Sequence, residues 1–237
     1  MNKAFCRKRC ISSFILAGCL ILFNLSCGLD TFYVIDSPTN VIHQPTCDSR
    51  DYIDNYFDFY TADKVYDSLK FLGTDVYYKI YKNSTRLKSE ADDLINISNR
   101  SDSTSAAAER MIQNYRYQPL RAAGREGQNV LFPTSGNNQR INMRLSSYTI
   151  YPAQITIDGG SSIGIPVRNL PGRPSFNFSG AAGTIPGNDD VDVNSSGTST
   201  DNEWFVAMFA VAIGQDENYS PIYSNILYLG SVQIPVE

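Results

Sequence analysis

The chain offers little of the chemistry that most active sites need. Its 237 residues include one histidine, His43, four positions before Cys47. In known thiol sites the fold, not sequence neighbourhood, brings nucleophile and base together. Cys47 therefore reads as a small buried hydrophobe. A single histidine excludes a histidine metal cluster, and no serine elbow is available to it. The strings "PGRPSF" (171–176) and "DGGSS" (158–162) read as turns. A glycosidase would need two carboxylates ~5–10 Å apart across a cleft, and no such pair stands out along the chain. One string has the offsets of a calcium loop. "DVDVNSSGTSTD" puts Asp190, Asp192 and Asn194 at positions 1, 3 and 5 and Asp201 at 12, where such loops carry oxygen ligands. Ser195 stands where glycine is required, Asp201 where a bidentate glutamate is usual, and no helical pattern flanks the string. The expectation is a solvated acidic loop with no metal or other cofactor. Calcium binding at 190–201 stays open beside it.

The residue types that do suggest a chemical event lie near the start. Lys3, Arg7, Lys8 and Arg9 precede an apolar run from Ile11 to Ser26, with no acid among them. A basic segment followed by an apolar one is the layout of a secretory signal. The run has 16 residues, short of the ~20 that a spanning helix needs. Two cysteines punctuate it, in "LAGC" (16–19) and "NLSC" (24–27). Both strings resemble the processing motif of bacterial lipoproteins, in which the cysteine is acylated and becomes the first residue. "LAGC" matches the family motif better letter by letter. Cleavage there would leave "LILFNL" directly after the lipid, with nothing polar between anchor and domain. Cleavage before Cys27 uses the whole apolar run and leaves the polar start "GLDT". Cys27 is the expected lipidation site, with Cys19 as the alternative. Each buried CH₂ contributes ~0.8 kcal/mol, so two or three acyl (palmitate-type) chains hold a protein where one is marginal.

Processing changes the rest of the accounting. Of the cysteines, Cys6, Cys10 and Cys19 would leave with the signal and Cys27 would carry lipid, so Cys47 would have no disulfide partner within the chain. Removing residues 1–26 takes four bases and no acids. It leaves 16 Lys+Arg against 24 Asp+Glu, a net charge of −8. Such a balance argues against nucleic acid as partner, because neutralising phosphates supplies most of that affinity. It also leaves membrane attachment to the lipid.

The remaining pattern is mostly that of strands. Residues 27–50 read as a lipidated N-terminus and tether. "YFDFYT" (56–61) alternates Phe57 and Phe59 against Asp58 and Tyr60, and "DVYYKIYK" (75–82) puts Val76, Tyr78 and Ile80 on one face. Tyr77 and Tyr81 fall on the other, either as a sticky exposed patch or under a covering element. The period changes at "STRLKSEADDLINI" (84–97), where Leu87, Ala91, Leu94 and Ile95 recur at helical spacing, and again at "STSAAAERMIQNY" (103–115). These predict a two-helix hairpin inserted at 84–124. Short strands punctuated by Gly, Pro and Asn follow, in "NVLFP", "RINMRLSSY", "IYPAQITI" and "IGIPVRNL". Residues 179–202 form a long loop without apolar periodicity. "EWFVAMFAVAIG" (203–214) is apolar on both faces and predicts a central strand covered on both sides. "SPIYSNILYLGSVQI" (220–234) returns beside it.

That last hairpin resembles the closing hairpin of fibronectin type III domains. Trp204 or Phe205 would hold the family's aromatic position, "FAVAIG" its Ala/Val run and "SPIYSN" the entry to its final strand. The family's early core Trp is missing, since Trp204 is the only Trp. The chain is also twice the length of one such module, which needs ~100 residues. As a whole, "SCGLDT", "YFDFYTAD" and "GTDVYYKIYKN" resemble the tyrosine-rich lipoproteins of spirochaetes. The resemblance implies a mainly β protein, an antiparallel immunoglobulin- or fibronectin III-like sandwich over 51–237 with the helical insert. It implies a lipid-anchored location in the cell envelope, on the outer membrane or a periplasmic face. The expected role is a binding or adhesion module without catalysis, meeting a protein or glycan through the 179–202 loop or the insert. The alternatives are a structural envelope-assembly lipoprotein and, less expected, a glycan-active enzyme.

Overall fold

The computed structural model describes residues 34–45, 53–63, 69–100, 105–133, 138–148, 150–178, 184–197 and 203–235. Cys19, Cys27 and Cys47, and with them the signal and lipidation expectations, lie outside the described residues. Contacts divide the chain into a unit at 1–32 and one at 33–237. Everything below concerns the second.

Its first strands are β1 (Thr39–His43), β2 (Phe57–Tyr60) and the long β3 (Lys70–Tyr81). Two helices follow: α1 (Ser84–Ser98) and α2 (Ala106–Glu109), the latter continuing as a π-helical turn over Arg110–Asn114. Then come β4 (Gln118–Pro119), β5 (Arg121–Ala122), β6 (Phe132–Pro133), β7 (Arg140–Arg144), β8 (Gln154–Ile157), β9 (Ser162–Gly164), β10 (Pro166–Val167) and β11 (Val193–Asn194). The described chain closes with β12 (Glu203–Gln215) and β13 (Pro221–Pro235).

The strands form two main sheets. Sheet A has the order β1-β2-β7-β8-β9, antiparallel throughout. Sheet B has the order β11-β3-β12-β13, with β4 and β6 also pairing along β3. All its pairings are antiparallel except β11 with β3. A minor ladder joins β5 to β10.

The pattern of β12 explains the layering. Side chains alternate across a strand, and here both sets are apolar. Trp204, Val206, Met208 and Ala210 enter the core between the sheets, with Phe57, Phe59, Ile141, Met143 and Ile155 of sheet A. Phe205, Ala207, Phe209 and Val211 enter a second core on the opposite face. There Leu87, Ala91 and Leu94 of α1 and Ala107, Ala108 and Met111 of the second helical segment cover them. This second unit is therefore three layers deep: sheet A, sheet B, helices. Tyr77 and Tyr81 lie under the helices, 7% and 0% exposed, so neither forms an outward sticky patch.

Local chemistry sets the ends of these elements. Asn83 caps α1, its side-chain oxygen accepting from the Arg86 N–H at 3.0 Å. At Gly73 the backbone has φ +140°, and a Cβ would collide with the Phe132 carbonyl where β6 crosses β3, so only glycine fits. The span 84–124 holds more than helices, since at its end β4 pairs with β3 in sheet B and β5 pairs with β10. Among the described residues, no helix is long and apolar enough to cross a membrane.

Candidate binding face and the buried ion pairs

The outer face of sheet A is polar from strand to strand. The alternation that buries Phe57, Phe59, Ile141 and Met143 turns Asp58, Tyr60, Arg140 and Asn142 outward. Register aligns them: Tyr60 lies opposite Arg140, and Asp58 opposite Asn142, which faces Thr156 on β8. A cavity of about 440 Å³ opens over this grid, lined by Asp58, Tyr60, Arg140, Asn142, Thr156 and Asp158. Its floor is fixed by one ion pair. Arg140 donates from Nε to Asp58 Oδ1 at 2.9 Å and from Nη2 to Oδ2 at 2.6 Å. The Asp58 side chain is 3% exposed while that of Arg140 is 49% exposed. The carboxylate is a buried anchor, and the guanidinium reaches the opening. Asp158, in a turn at φ +51°, accepts the Arg140 backbone N–H at 2.8 Å. The Tyr60 hydroxyl and the Asn142 side-chain amide make no hydrogen bond among the described residues. They remain available to a ligand.

At the neighbouring row, Arg144 lies between two rings, 5.6 Å from the Tyr56 centroid and 5.0 Å from that of Tyr151. It also donates to the Asn55 and Ile53 carbonyls at 3.3 and 2.9 Å. His43 stacks on Tyr56 at 3.9 Å between centroids, and its Nε2 lies 2.8 Å from the Asp54 carbonyl oxygen. The only histidine is thus part of the packing of this face.

The acidic string at 190–201 differs from both readings of its sequence. Asp192 is fully buried, not solvated. Arg168 grips it from Nε to Oδ2 at 2.8 Å and from Nη2 to Oδ1 at 2.7 Å, and reaches Asp190 Oδ2 at 2.9 Å. Arg173 adds a contact to the same Asp190 oxygen at 3.1 Å, and the Tyr78 hydroxyl donates to Asp192 Oδ2 at 2.8 Å. Two guanidinium groups occupy the carboxylates that a calcium ion would need, and their charge repels a cation. Asn194 turns elsewhere, toward Glu90. Asp201 lies outside the described residues, and no group of three or more acidic, His or Cys ligands forms among the described ones.

A third buried pair holds the inner end of β4 and β5. Asp75 Oδ1 accepts from Arg121 Nη1 at 2.9 Å and from the Leu131 N–H at 3.0 Å. Burial pushes its carboxyl up from 3.8 to about 6, and the Arg121 charge only partly offsets this.

Sequence reading alone singled out none of these five arginines. The signal was present only in part: Arg140 and Asn142 occupy the polar positions of the alternating string "RINMR", but nothing in it names the strand alongside. Comparison with protein-family models, with curated proteins and with solved structures found no match to this chain.

Proposed function

We propose that the protein is a lipid-anchored module of the cell envelope, tethered through Cys27, and that its β domain binds a hydroxyl-rich ligand, a glycan, on the outer face of sheet A. The observation that carries this reading is the open cavity over Asp58, Tyr60, Arg140, Asn142 and Thr156. Its volume falls within the range of ~300–1,000 Å³ usual for small-ligand sites. Its lining presents a phenol, an amide, a hydroxyl and a guanidinium, donors and acceptors suited to sugar hydroxyls. The charges of Arg140 and Asp58 cancel within the floor, which favours an uncharged partner over an anion. Binding is favoured over catalysis because both carboxylates are committed, Asp58 to a guanidinium and Asp158 to a backbone N–H.

This reading moves the contact surface away from the 179–202 loop and the helices. Asp190 and Asp192 of the loop are held by Arg168, and the helices are occupied in covering Tyr77, Tyr81 and Phe209. The fibronectin-like reading rests on β13-β12-β3 facing β1-β2-β7. The strands β8 to β11 and the helical layer are then additions to that core.

Two experiments test the proposal. The full chain, screened against envelope and host glycans, should bind a neutral oligosaccharide; a chain that binds only proteins, or nothing, contradicts it. Metabolic palmitate labelling in a lipoprotein-processing bacterium should be lost in Cys27→Ser and kept in Cys19→Ser. The reverse pattern would move the anchor to Cys19.

A further inference from the structure

One buried cluster between α1 and sheet B is built unlike a simple ion pair. Glu90, on α1, is 3% exposed, and its carboxylate accepts four hydrogen bonds. Oε2 receives Lys79 Nζ at 3.1 Å and the Tyr81 hydroxyl at 2.7 Å. Oε1 receives Arg86 Nε at 3.0 Å and Asn194 Nδ2 at 2.9 Å. One carboxylate thus bridges a lysine amine and an asparagine amide. The amide is held from its other side too, because Asn194 Oδ1 accepts the Ser196 N–H at 3.0 Å. The rings of Tyr81, Tyr115 and Tyr117 lie 5.4, 5.9 and 5.9 Å from Lys79 Nζ. Backbone register presents the two reacting side chains together. Asn194 pairs with Tyr81 in the parallel β11–β3 contact, and Lys79 lies two residues earlier on the same face of β3. The Ile80 and Lys82 N–H groups fix β11 there, donating to the Asp192 and Asn194 carbonyls at 2.9 and 3.2 Å.

We propose that Lys79 and Asn194 react within the folded chain to form an amide cross-link, with Glu90 moving the protons. The Lys79 ammonium keeps its hydrogen bond to the Tyr115 carbonyl at 2.6 Å and gives a proton to Glu90 Oε2, which frees the Nζ lone pair toward the carboxylate. Nζ attacks Asn194 Cγ and a C–N bond forms. The carbonyl electron pair moves to Oδ1, where the Ser196 N–H stabilises it. Glu90 passes its proton to Nδ2 and takes the second proton from Nζ. The tetrahedral centre collapses, the Cγ–Nδ2 bond breaks and ammonia leaves. Ammonia then takes the proton held by Glu90. The net change is one lysine ammonium and one asparagine amide converted to one secondary amide and one ammonium ion. No oxidant or co-reactant is needed.

Each part of the setting serves that step. Burial lowers the Lys79 pKa against the opposing pull of Glu90, which favours the neutral amine that acts as nucleophile. Arg86 Nε orients Glu90 through its hydrogen bond to Oε1, leaving Oε2 facing Lys79. The three tyrosine rings surround Lys79 Nζ and limit the access of water to the amine. Holding both reactants on one carboxylate removes most of the entropic cost of bringing them together.

Peptide mapping of the denatured full chain by mass spectrometry tests this. The folded wild type should yield a branched peptide joining residues 79 and 194, lighter by one ammonia than its two arms combined. Lys79→Met and Glu90→Gln should each yield only linear peptides, with folding checked by circular dichroism. Linear peptides alone from folded wild-type protein would overturn the proposal without reference to any variant. A branched peptide undiminished in Glu90→Gln would overturn the role of Glu90.

Discussion

Arg168 and Asp192 form a two-pronged ion pair in which both side chains are 0% exposed. It ties the long loop before β12 to the strand end at β10 and, through the Tyr78 hydroxyl, to the centre of β3. Breaking a buried pair by removing one partner strands the other charge and costs ~3–5 kcal/mol. Arg168→Met should therefore lower unfolding stability by that order in urea titrations. Arg168→Lys should recover little, because a lysine cannot offer two parallel donors. Added calcium or chelator should leave the wild-type Tm unchanged.

Asp75 gives stability a specific dependence on pH. Its carboxyl is raised to about 6 in the fold from an ordinary 3.8, so the native state holds the proton more tightly than the unfolded state. The stabilisation from this group is complete below ~4 and fades as pH rises through about 6. Thermal unfolding between pH 4 and 7 should show it as a slope that disappears in Asp75→Asn. An unchanged slope in the variant would assign the dependence to other groups.

The helical layer behaves in this account as core, not as an accessory. Leu94 is 0% exposed in the cluster that covers Tyr77, Phe205 and Phe209. Leu94→Ala should cost ~2–5 kcal/mol by the transfer and cavity terms together. Lys88→Ala, on the exposed side of α1 in a solvent-facing pair with Asp92, should stay within ~0.5 kcal/mol. Denaturant titrations of the two variants measure both.

Periodicity made the two-faced character of β12, the alternation of β2 and β3 and both helices legible in the sequence. Each of these depends on neighbours within one segment. What periodicity could not carry was pairing between distant segments. Asp192 reads as solvated until Arg168 is brought against it. Tyr77 and Tyr81 read as a face that the helices could cover, with a sticky patch as the alternative, until α1 is docked on them. Arg140 reads as an ordinary polar strand residue until β2 supplies Asp58. The candidate face was invisible for the same reason, since its residues come from three strands and the turn after β8. The short strands β4, β5 and β11 escaped because two-residue ladders leave no period to detect, whereas β6 and β10 fall within the punctuated strings "NVLFP" and "IGIPVRNL".

The proposed ligand face is the outer face of sheet A, over Asp58, Tyr60, Arg140 and Asn142. The most direct measurement is isothermal calorimetry of the full chain with a neutral oligosaccharide from the glycan screen, repeated on the double variant Tyr60→Phe/Asn142→Ala. Both side chains face the cavity without a partner among the described residues, so the variant should fold normally. It should bind at least tenfold more weakly, a loss of about 1.4 kcal/mol. Lys88→Ala, on the helical side, should bind like the wild type. Undiminished affinity in the double variant, or a loss in Lys88→Ala alone, would contradict the claim.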